Sequence, residues 1–450
     1  MVAQKHHTSI PAASSEQKRL RLIGKEGPGI IKELADAITA KYHFARTGSV
    51  LFVFIDGVYA PKGEETVEAC VKRILEQTGQ TAEWSSHKAN EVAEYIRVDA
   101  PELWNRPPDD VLNLNNGLLN VRTRKLDRHS PEFLSPVRIP VTFDQKADCP
   151  QWKKFIATTF PDDTQELAWE LAAWLMTPNT SIQKAVLLLG EGSNGKSTWL
   201  TALTAFLGKK NVTSKSLHKL EMDKFAKASL LGKLANICPD LPSGHLAETS
   251  TFKALTGTEA QLDAEIKYKD SFEFEPFARL IFAANQPPRS NDATHAFFRR
   301  WLVVPFDRTF EEGTDSVPIP RDVLDALLAE PKELSGVLNM ALAVYPRVRE
   351  KGITETPSMK AAWNEFRQTT DPLSVWLDQN TIAQPEAIVI KHDLLKAYND
   401  YLIRVGSPPV AESAFGRAFS RARPNIADCQ RTIDGNRVRC WQGIGMKSEE

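Results

Sequence analysis

Between residues 185 and 310 the chain alternates short apolar runs with stretches of helical periodicity. Ala185 to Leu189, Lys233 to Asp240 (KLANICPD), Arg279 to Asn285 (RLIFAAN) and the segment fed by Phe297 to Phe306 (FFRRWLVVPF) each read as a buried strand. The first ends in a glycine-rich turn, the second in a carboxylate and the third in an amide, which is the pattern of an open α/β sheet whose strand ends line a crevice. Upstream, helical periodicity over Ile30 to Lys41 precedes Val50 to Tyr59, which alternates around Asp56-Gly57 and predicts a hairpin. Val67 to Gln77 reads as a further helix, and Leu112 to Leu126 as a second hairpin centred on Asn116-Gly117. Gln151 to Phe160 and Thr164 to Met176 are helices whose Trp152, Trp169 and Trp174 read as packing residues. Downstream, Arg321 to Arg349 and Met359 to Asn380 are mostly helical. Ile390 to Val405 and Ser413 to Ala422 are helices, and Gln430 to Trp441 is a hairpin around Asp434-Gly435.

These patterns divide the chain into a polar tail (1–16), an α+β domain (17–145), a helical collar (146–184), a core (185–310), a helical extension (311–385) and a winged-helix domain (386–450). A chain of 450 residues is too long for one core, so several domains are expected on length alone. A net charge of −1 means that any nucleic-acid surface must be local. One such surface is visible: Phe415 to Trp441 holds six arginines (Arg417, Arg421, Arg423, Arg431, Arg437, Arg439) against two aspartates. Five scattered cysteines without metal-ligand spacing point to a reduced, cytoplasmic setting and away from structural zinc. No apolar run is long enough to span a membrane, and His6 and His7 read as solvated tail residues.

The chemistry centres on Gly190-Glu191-Gly192-Ser193-Asn194-Gly195-Lys196-Ser197-Thr198, a complete phosphate-binding loop between a strand and a helix. Glycines let successive N–H groups curl around phosphates, and the helix N-terminus adds its positive end. Lys196 is placed to reach the β- and γ-phosphates of ATP, and the Ser197 hydroxyl to hold Mg²⁺. Asp240 is the candidate metal-holding acid, and Asn285 the amide that senses the γ-phosphate and orients water. Arg299 and Arg300 are candidates for an arginine finger supplied by a neighbouring subunit. Lys267, Tyr268 and Lys269 fall where a hairpin tip is expected, with two cations and an aromatic suited to a DNA backbone.

The motifs GEGSNGKST, LLGKLANICPDLP, FKALTGTE, LDAEIKYK, ARLIFAANQPPR and AFFRRWLVVPF occur in order between about Leu187 and Phe306. The segment resembles the superfamily 3 helicase domain of phage and plasmid primase-helicases, relatives of the poxvirus NTPase-primase. LNLNNGLLNVRTRKLDRHSP and CPQWKKFI resemble the domain that precedes the helicase in that family, and the C-terminal region resembles its winged-helix end. The resemblance implies an AAA+-type P-loop ATPase core that hydrolyses ATP with Mg²⁺. It implies assembly as a ring, a hexamer, and 3′→5′ movement on the single-stranded DNA of a fork. By position it carries Gly195, Lys196 and Ser197 to phosphate and metal, Asp240 to the acid and Asn285 to the sensor. Lys267 to Lys269 fall on the central-channel hairpin and Arg299 or Arg300 on the finger, with Lys253 a further site residue in the FK-LTG segment. Arg417, Arg421, Arg437 and Arg439 fall on a recognition helix and wing.

Two departures stand out. One acid at Asp240, where many such enzymes carry two, leaves the water-activating base unassigned. The residues before the collar contain neither a zinc ribbon nor an obvious catalytic acid pair, so any primase is expected to be a separate partner. A helicase for replicating a mobile element is the reading these features favour. An ATP-switched DNA loader without unwinding is the alternative, and a small-molecule phosphotransferase would leave the basic wing and paired arginines unexplained.

Overall fold

Five short parallel strands, most of them apolar for nearly their whole length, organise the larger part of the chain. The computed structural model describes residues 28–242, 245, 246, 248–258, 261–265, 271–290, 292, 294–310, 319–433 and 435–447. They fall into two units, one of residues up to 104 with 130–136 and the other of 105–129 with 137 onward. This division into compact units interleaves at residues 104–137, whereas the sequence reading sets a domain limit at residue 145.

In the first unit, helix α1 (Pro28–Thr39) is followed by the antiparallel strands β1 (Phe44–Thr47), β2 (Val50–Ile55) and β3 (Val58–Ala60) and the helices α2 (Gly63–Gln77) and α3 (Ser86–Asp99). Asp56 and Gly57 both take positive φ (52° and 80°), the two-residue turn expected between β2 and β3. Sequence reading missed α3, whose buried stripe of Ala89, Val92, Ala93 and Ile96 is spaced for one helix face. Ser85 caps it, its Oγ accepting from the Lys88 N–H at 3.1 Å.

The second unit begins with the meander β4 (Val111–Leu114), β5 (Gly117–Asn120) and β6 (Leu126–Asp127). Leu114 pairs with Gly117, so the turn is Asn115-Asn116, one residue earlier than the Asn116-Gly117 expected. Gly117 serves a different purpose: a Cβ there would stand 2.2 Å from the Asp127 carbonyl of β6. Helices α4 (Pro150–Thr159) and α5 (Gln165–Leu175) lead into β7 (Ala185–Leu189) and α6 (Lys196–Leu207). The chain continues through β8 (Val212–Thr213), α7 (Leu217–Met222), α8 (Lys224–Ala228), β9 (Ala235–Cys238), β10 (His245–Leu246) and α9 (Ser250–Leu255). Next come β11 (Leu262–Ala264), β12 (Phe272–Phe274), β13 (Arg279–Ala284), β14 (Arg289–Ser290), α10 (His295–Phe298) and β15 (Trp301–Pro305).

The parallel sheet has the order β15–β7–β13–β9–β8. Its side chains alternate between two cores. Val186, Leu188, Ile237, Ile281, Leu302 and Val304 face the layer that holds α4, α5 and α6. Leu187, Cys238, Leu280, Phe282, Trp301 and Val303 face the layer that holds α7, α9 and α10. Burial on both faces is why these strands read as unbroken apolar runs. In the second layer Trp301 stacks on Phe252, ring centroids 4.6 Å apart.

Helices α11 (Arg321–Leu328), α12 (Pro331–Lys351), α13 (Pro357–Thr370) and α14 (Pro372–Asn380) follow. The end of the chain forms β16 (Thr381–Ile390), α15 (Lys391–Arg404), α16 (Glu412–Ala422), β17 (Ala427–Ile433) and β18 (Asn436–Met446), with β18 central in an antiparallel sheet. The β17–β18 hairpin matches the expected one, although Asp434 of its turn lies outside the described residues. Strand β16 was not expected. It is a largely exposed edge strand, carries Pro385 and shifts register between Ala383 and Ile388, so it shows no alternation to read. Leu373, Trp376 and Leu377 of α14 share a core with Phe415, Phe419 and Trp441. The C-terminal body thus starts earlier than residue 386. No helix among the described residues is long and apolar enough to cross a membrane.

Trp152 is fully buried and donates its indole N–H to Leu328 O at 2.8 Å, in keeping with a packing role. Beside it, the buried carboxylate of Glu333 on α12 accepts the Gln151 and Trp152 N–H groups at 3.1 and 3.2 Å, closing the open end of α4. Glu333→Ala is expected to cost this unit about 2 kcal/mol in urea unfolding, and Glu333→Gln less. An unchanged midpoint for the alanine variant would mean the cap contributes nothing.

Candidate active site

A turn that leaves a buried strand and starts a helix within six residues needs positive φ, and the sequence supplies glycine at two of the three positions that take it. Gly192 (φ 140°), Ser193 (φ 44°) and Gly195 (φ 83°) carry the turn between β7 and α6. Gly190 is fixed by close approach, since a Cβ there would stand 2.4 Å from both Asn194 Nδ2 and Phe306 O. At Gly195 the obstacle would be Thr159 Cγ2, 2.5 Å away at the end of α4.

The loop is held from outside. Asn194 is buried and donates from Nδ2 to Phe306 O at 3.1 Å. Phe310 N–H donates to Ser193 O at 2.7 Å, Phe306 N–H to Leu189 O at 2.7 Å, and Gly190 N–H to Ala284 O at 3.3 Å. Arg308 fastens the same segment to the collar. Its Nη1 donates to Ala157 O and Thr158 O, both at 2.8 Å, and its Nη2 meets Asp162 Oδ1 at 2.9 Å. A cation on the last carbonyls of α4 also complements the negative end of that helix. Sequence reasoning missed Arg308, because one arginine after a strand carries no spacing signal.

Lys196 lies inside this frame. Its Nζ donates to Gly190 O at 2.5 Å and Asn194 Oδ1 at 3.0 Å. Both acceptors are neutral, and burial lowers the pKa of the ammonium. Such a cation is short of a counter-charge, which a phosphate would provide. Ser197 is exposed at the first turn of α6, so its hydroxyl is open to a metal ion. Thr198, next to it, is buried, as are Asn194 and Lys196 of the same loop. Glycine-limited turn, buried ammonium and open hydroxyl together fit a phosphate group with its divalent cation.

Ala284 pairs with Leu189, so Asn285, which is exposed, follows β13 directly beside Gly190. Asp240 is also exposed, two residues past the end of β9, and the Leu241 N–H that follows it donates to Ala283 O at 2.7 Å. Lys196, Ser197, Asn285 and Asp240 therefore share the carboxyl edge of one sheet, and β7 is flanked there by β13 and β15.

Arg299 and Arg300 are not brought to that edge. They precede β15, and Arg300 O accepts from Ala185 N–H at the amino end of β7. Five strand residues, roughly 16 Å, separate them from Gly190. Arg299 is exposed and donates to Gln183 Oε1 at 3.3 Å. Arg300 bonds Ala296 O, and its pKa is lowered by burial and then by Arg299.

Lys253 pairs with Asp292 at 2.5 Å. Burial opposes ionisation of Asp292, but hydrogen bonds from Lys253, Thr249 and Thr294 outweigh it and hold the carboxyl below its ordinary range. Lys267, Tyr268 and Lys269 lie outside the described residues; the flanking strands β11 and β12 pair antiparallel, Ala264 opposite Phe272. Arg417 and Arg421 are exposed on α16 away from the buried Phe415 and Phe419, and Arg437 and Arg439 are exposed near the start of β18, ahead of the buried Trp441. Arg423 is drawn into an ion pair with Asp378, and Arg431 donates to Gln442 Oε1 at 3.0 Å.

Residues 29–161 match a family described as D5 N terminal like, and residues 188–300 match a family of unknown function, DUF5906. The protein 022R of Frog virus 3 (isolate Goorha) is 24% identical over 319 residues, which are 66% of this chain and 31% of that one. The protein 184R of Invertebrate iridescent virus 6 is 25% identical over 201 residues, 38% of this chain and 19% of that one. Both bear the name "Putative helicase". The chain spans less than a third of the length of these relatives. The A-form apo structure of the NrS-1 C-terminal region is similar with a TM-score of 0.51 at 12% identity, over 91% of this chain and 98% of that one. An apo structure of NrS-1 residues 305–718 gives 0.50 at 12% identity, over 92% and 98%. At such identity the likeness is one of fold.

The external bracing of the loop makes a prediction that needs no ligand. In Asn194→Ala the link to Phe306 O is lost, and amide exchange across residues 190–195 should quicken about tenfold with little change in global stability. Unaltered exchange would show that the backbone contacts alone hold the loop.

Proposed function

We propose, from the premise of a phage and viral primase-helicase family, that this chain is an ATP-dependent DNA helicase of superfamily 3 that unwinds DNA for replication of a mobile element. Helicase-named viral relatives support a helicase-like role in replication. The observation that carries the reading is the buried Lys196 ammonium, held only by neutral loop oxygens at the carboxyl edge of a parallel sheet.

In this reading Lys196 exchanges Gly190 O and Asn194 Oδ1 for the β- and γ-phosphate oxygens of ATP. The glycine-limited backbone and the N-terminus of α6 add N–H donors. Ser197 and Asp240 would hold Mg²⁺, which neutralises charge on the phosphates when bound. Asn285, beside Gly190, orients the attacking water. The distance of Arg299 and Arg300 from their own loop supports supply from a neighbouring subunit in a ring, proposed as a hexamer, where a guanidinium would stabilise transition-state charge. Of the two, Arg299 is the more open to a neighbour. The single acid at Asp240 favours, as a second reading, a DNA-binding loader or initiator whose ATPase only switches conformation.

DNA contact is assigned to Lys267, Tyr268 and Lys269 and, on a winged-helix end, to Arg417, Arg421, Arg437 and Arg439. The last four offer two pairs, spaced four residues apart on a helix and two apart on a strand, so each pair points one way.

ATP hydrolysis stimulated by single-stranded DNA is expected, with Lys196→Ala lowering turnover at least about a hundredfold. Absence of stimulation by any DNA would remove the helicase reading. A 3′-tailed fork separates the two functions: strand displacement marks a helicase, and hydrolysis without displacement marks the loader.

Mixing Lys196→Ala subunits with Arg299→Ala/Arg300→Ala subunits should restore part of the ATPase activity, because some shared sites then contain both intact halves. Mixtures no more active than their components would rule out a finger given in trans.

A further inference from the structure

Far along the chain from the phosphate loop, the segment Asn120 to Arg128 (NVRTRKLDR) carries four cations against one acid, and nothing above assigns it a role. It follows β5 as a tight turn. Asn120 Oδ1 accepts from the Arg122 and Thr123 N–H groups at 3.0 and 2.9 Å, and Arg124 takes a positive φ of 61°. The turn faces the last part of α12, and a cleft of about 540 Å³ opens between them. Its lining includes Arg122, Arg124, Tyr345, Pro346, Arg349 and Glu350.

Two of the three arginines are positioned by the protein itself. Pro346 lies inside α12 and has no N–H, so the Leu342 carbonyl loses its helical donor. Arg124 Nη2 fills that vacancy at 2.5 Å, which fixes its guanidinium at the rim with its other nitrogens left over. Arg349 is steadied by Tyr345, Nη1 donating to the phenol oxygen at 3.3 Å, and by Asp109 at 3.8 Å. Arg122 is exposed and has no ion-pair or side-chain hydrogen-bond partner among the described residues.

We infer that this cleft binds the phosphodiester backbone of nucleic acid, as a contact separate from the C-terminal arginines. Guanidinium forks match phosphate oxygens in pairs, and arginines fixed before binding lose little freedom when they do so. Val121, Tyr345, Pro346 and the arginine stems form the apolar walls of the cleft, and its charged groups are the three guanidiniums and the single Glu350 carboxylate. Three converging guanidiniums against one lining carboxylate leave a net positive charge that suits a charged, extended backbone read without regard to sequence. The inference rests on the DNA-linked function proposed above and adds to it a path for DNA outside the ring channel.

The test uses the full chain with fluorescent single-stranded, duplex and forked DNA, titrated by anisotropy at salt concentrations from roughly 50 to 200 mM. Arg122→Glu should weaken binding to at least one of the three about fivefold or more and reduce the salt dependence, while Arg122→Lys keeps most of the affinity. Which DNA responds identifies the strand that the cleft holds. The free guanidinium of Arg122 makes misfolding an improbable cause of the loss, and an unchanged melting temperature checks it. Wild-type affinity of Arg122→Glu for all three DNAs overturns the inference and leaves the arginines to an acidic protein partner. If the wild-type chain also hydrolyses ATP and Arg437→Glu/Arg439→Glu weakens DNA binding, only this inference falls. A wild-type chain that binds no DNA removes both readings.

Discussion

A loop that is to wrap a phosphate cannot be tied up by its own hydrogen bonds, so its shape has to come from its neighbours. That constraint accounts for much of the architecture around Lys196. Strand β7 is paired on both sides, with β13 giving Gly190 a backbone anchor at Ala284 and β15 running on into Phe306 and Phe310. Asn194, inside the loop, turns inward to Phe306 O and at the same time accepts from Lys196. Thr159 fills the space that a side chain at position 195 would need. The lysine is then kept charged-side inward among neutral oxygens, a costly arrangement whose relief is an anion.

The same bracing links the elements that surround the site. Arg308 joins the exit of β15 to the end of α4, and Glu333 of α12 closes the start of α4. The helix before the sheet is thus held at both ends by residues that come after it in sequence. Glu170 of α5 is fully buried, pairs with Arg347 and accepts the Thr354 N–H at 2.8 Å, tying the collar to the later helices again. Buried ion pairs of this kind contribute little net stability, but removing either partner leaves an uncompensated charge, so they define one arrangement over others.

A contrasting case is Arg279 at the start of β13. It is buried over the Trp174 ring at 5.4 Å, donates to Phe277 O at 2.9 Å, and leaves Nε and Nη2 without hydrogen-bond partners. Desolvation, with the nearby charge of Arg106, pushes its pKa down to about 9. It stands at the amino end of the sheet, away from the carboxyl edge where Asn285 and Asp240 lie, and its cation–π contact is a packing device.

What the sequence determined by itself was whatever depends on local chemistry. Glycines and Lys196 fixed the loop, unbroken apolar runs marked strands buried on both faces, and Asp56-Gly57 and the residues around Asp434-Gly435 marked hairpins, because those signals are written in neighbouring residues. Periodicity also held α3, although its polar residues masked the stripe. Tertiary structure alone decided what depends on distant pairs. It put Asn285 beside Gly190 and Arg299 and Arg300 at the opposite end of the same sheet. It required a glycine at residue 117, where β6 comes close, and it drew Arg423 out of the basic surface to Asp378. It also built an arginine cleft from a turn near residue 122 and a helix near residue 349. Local sequence sets which backbone conformations are cheap, but strand order, close approaches and charge partners are set by which segments the folded core brings together.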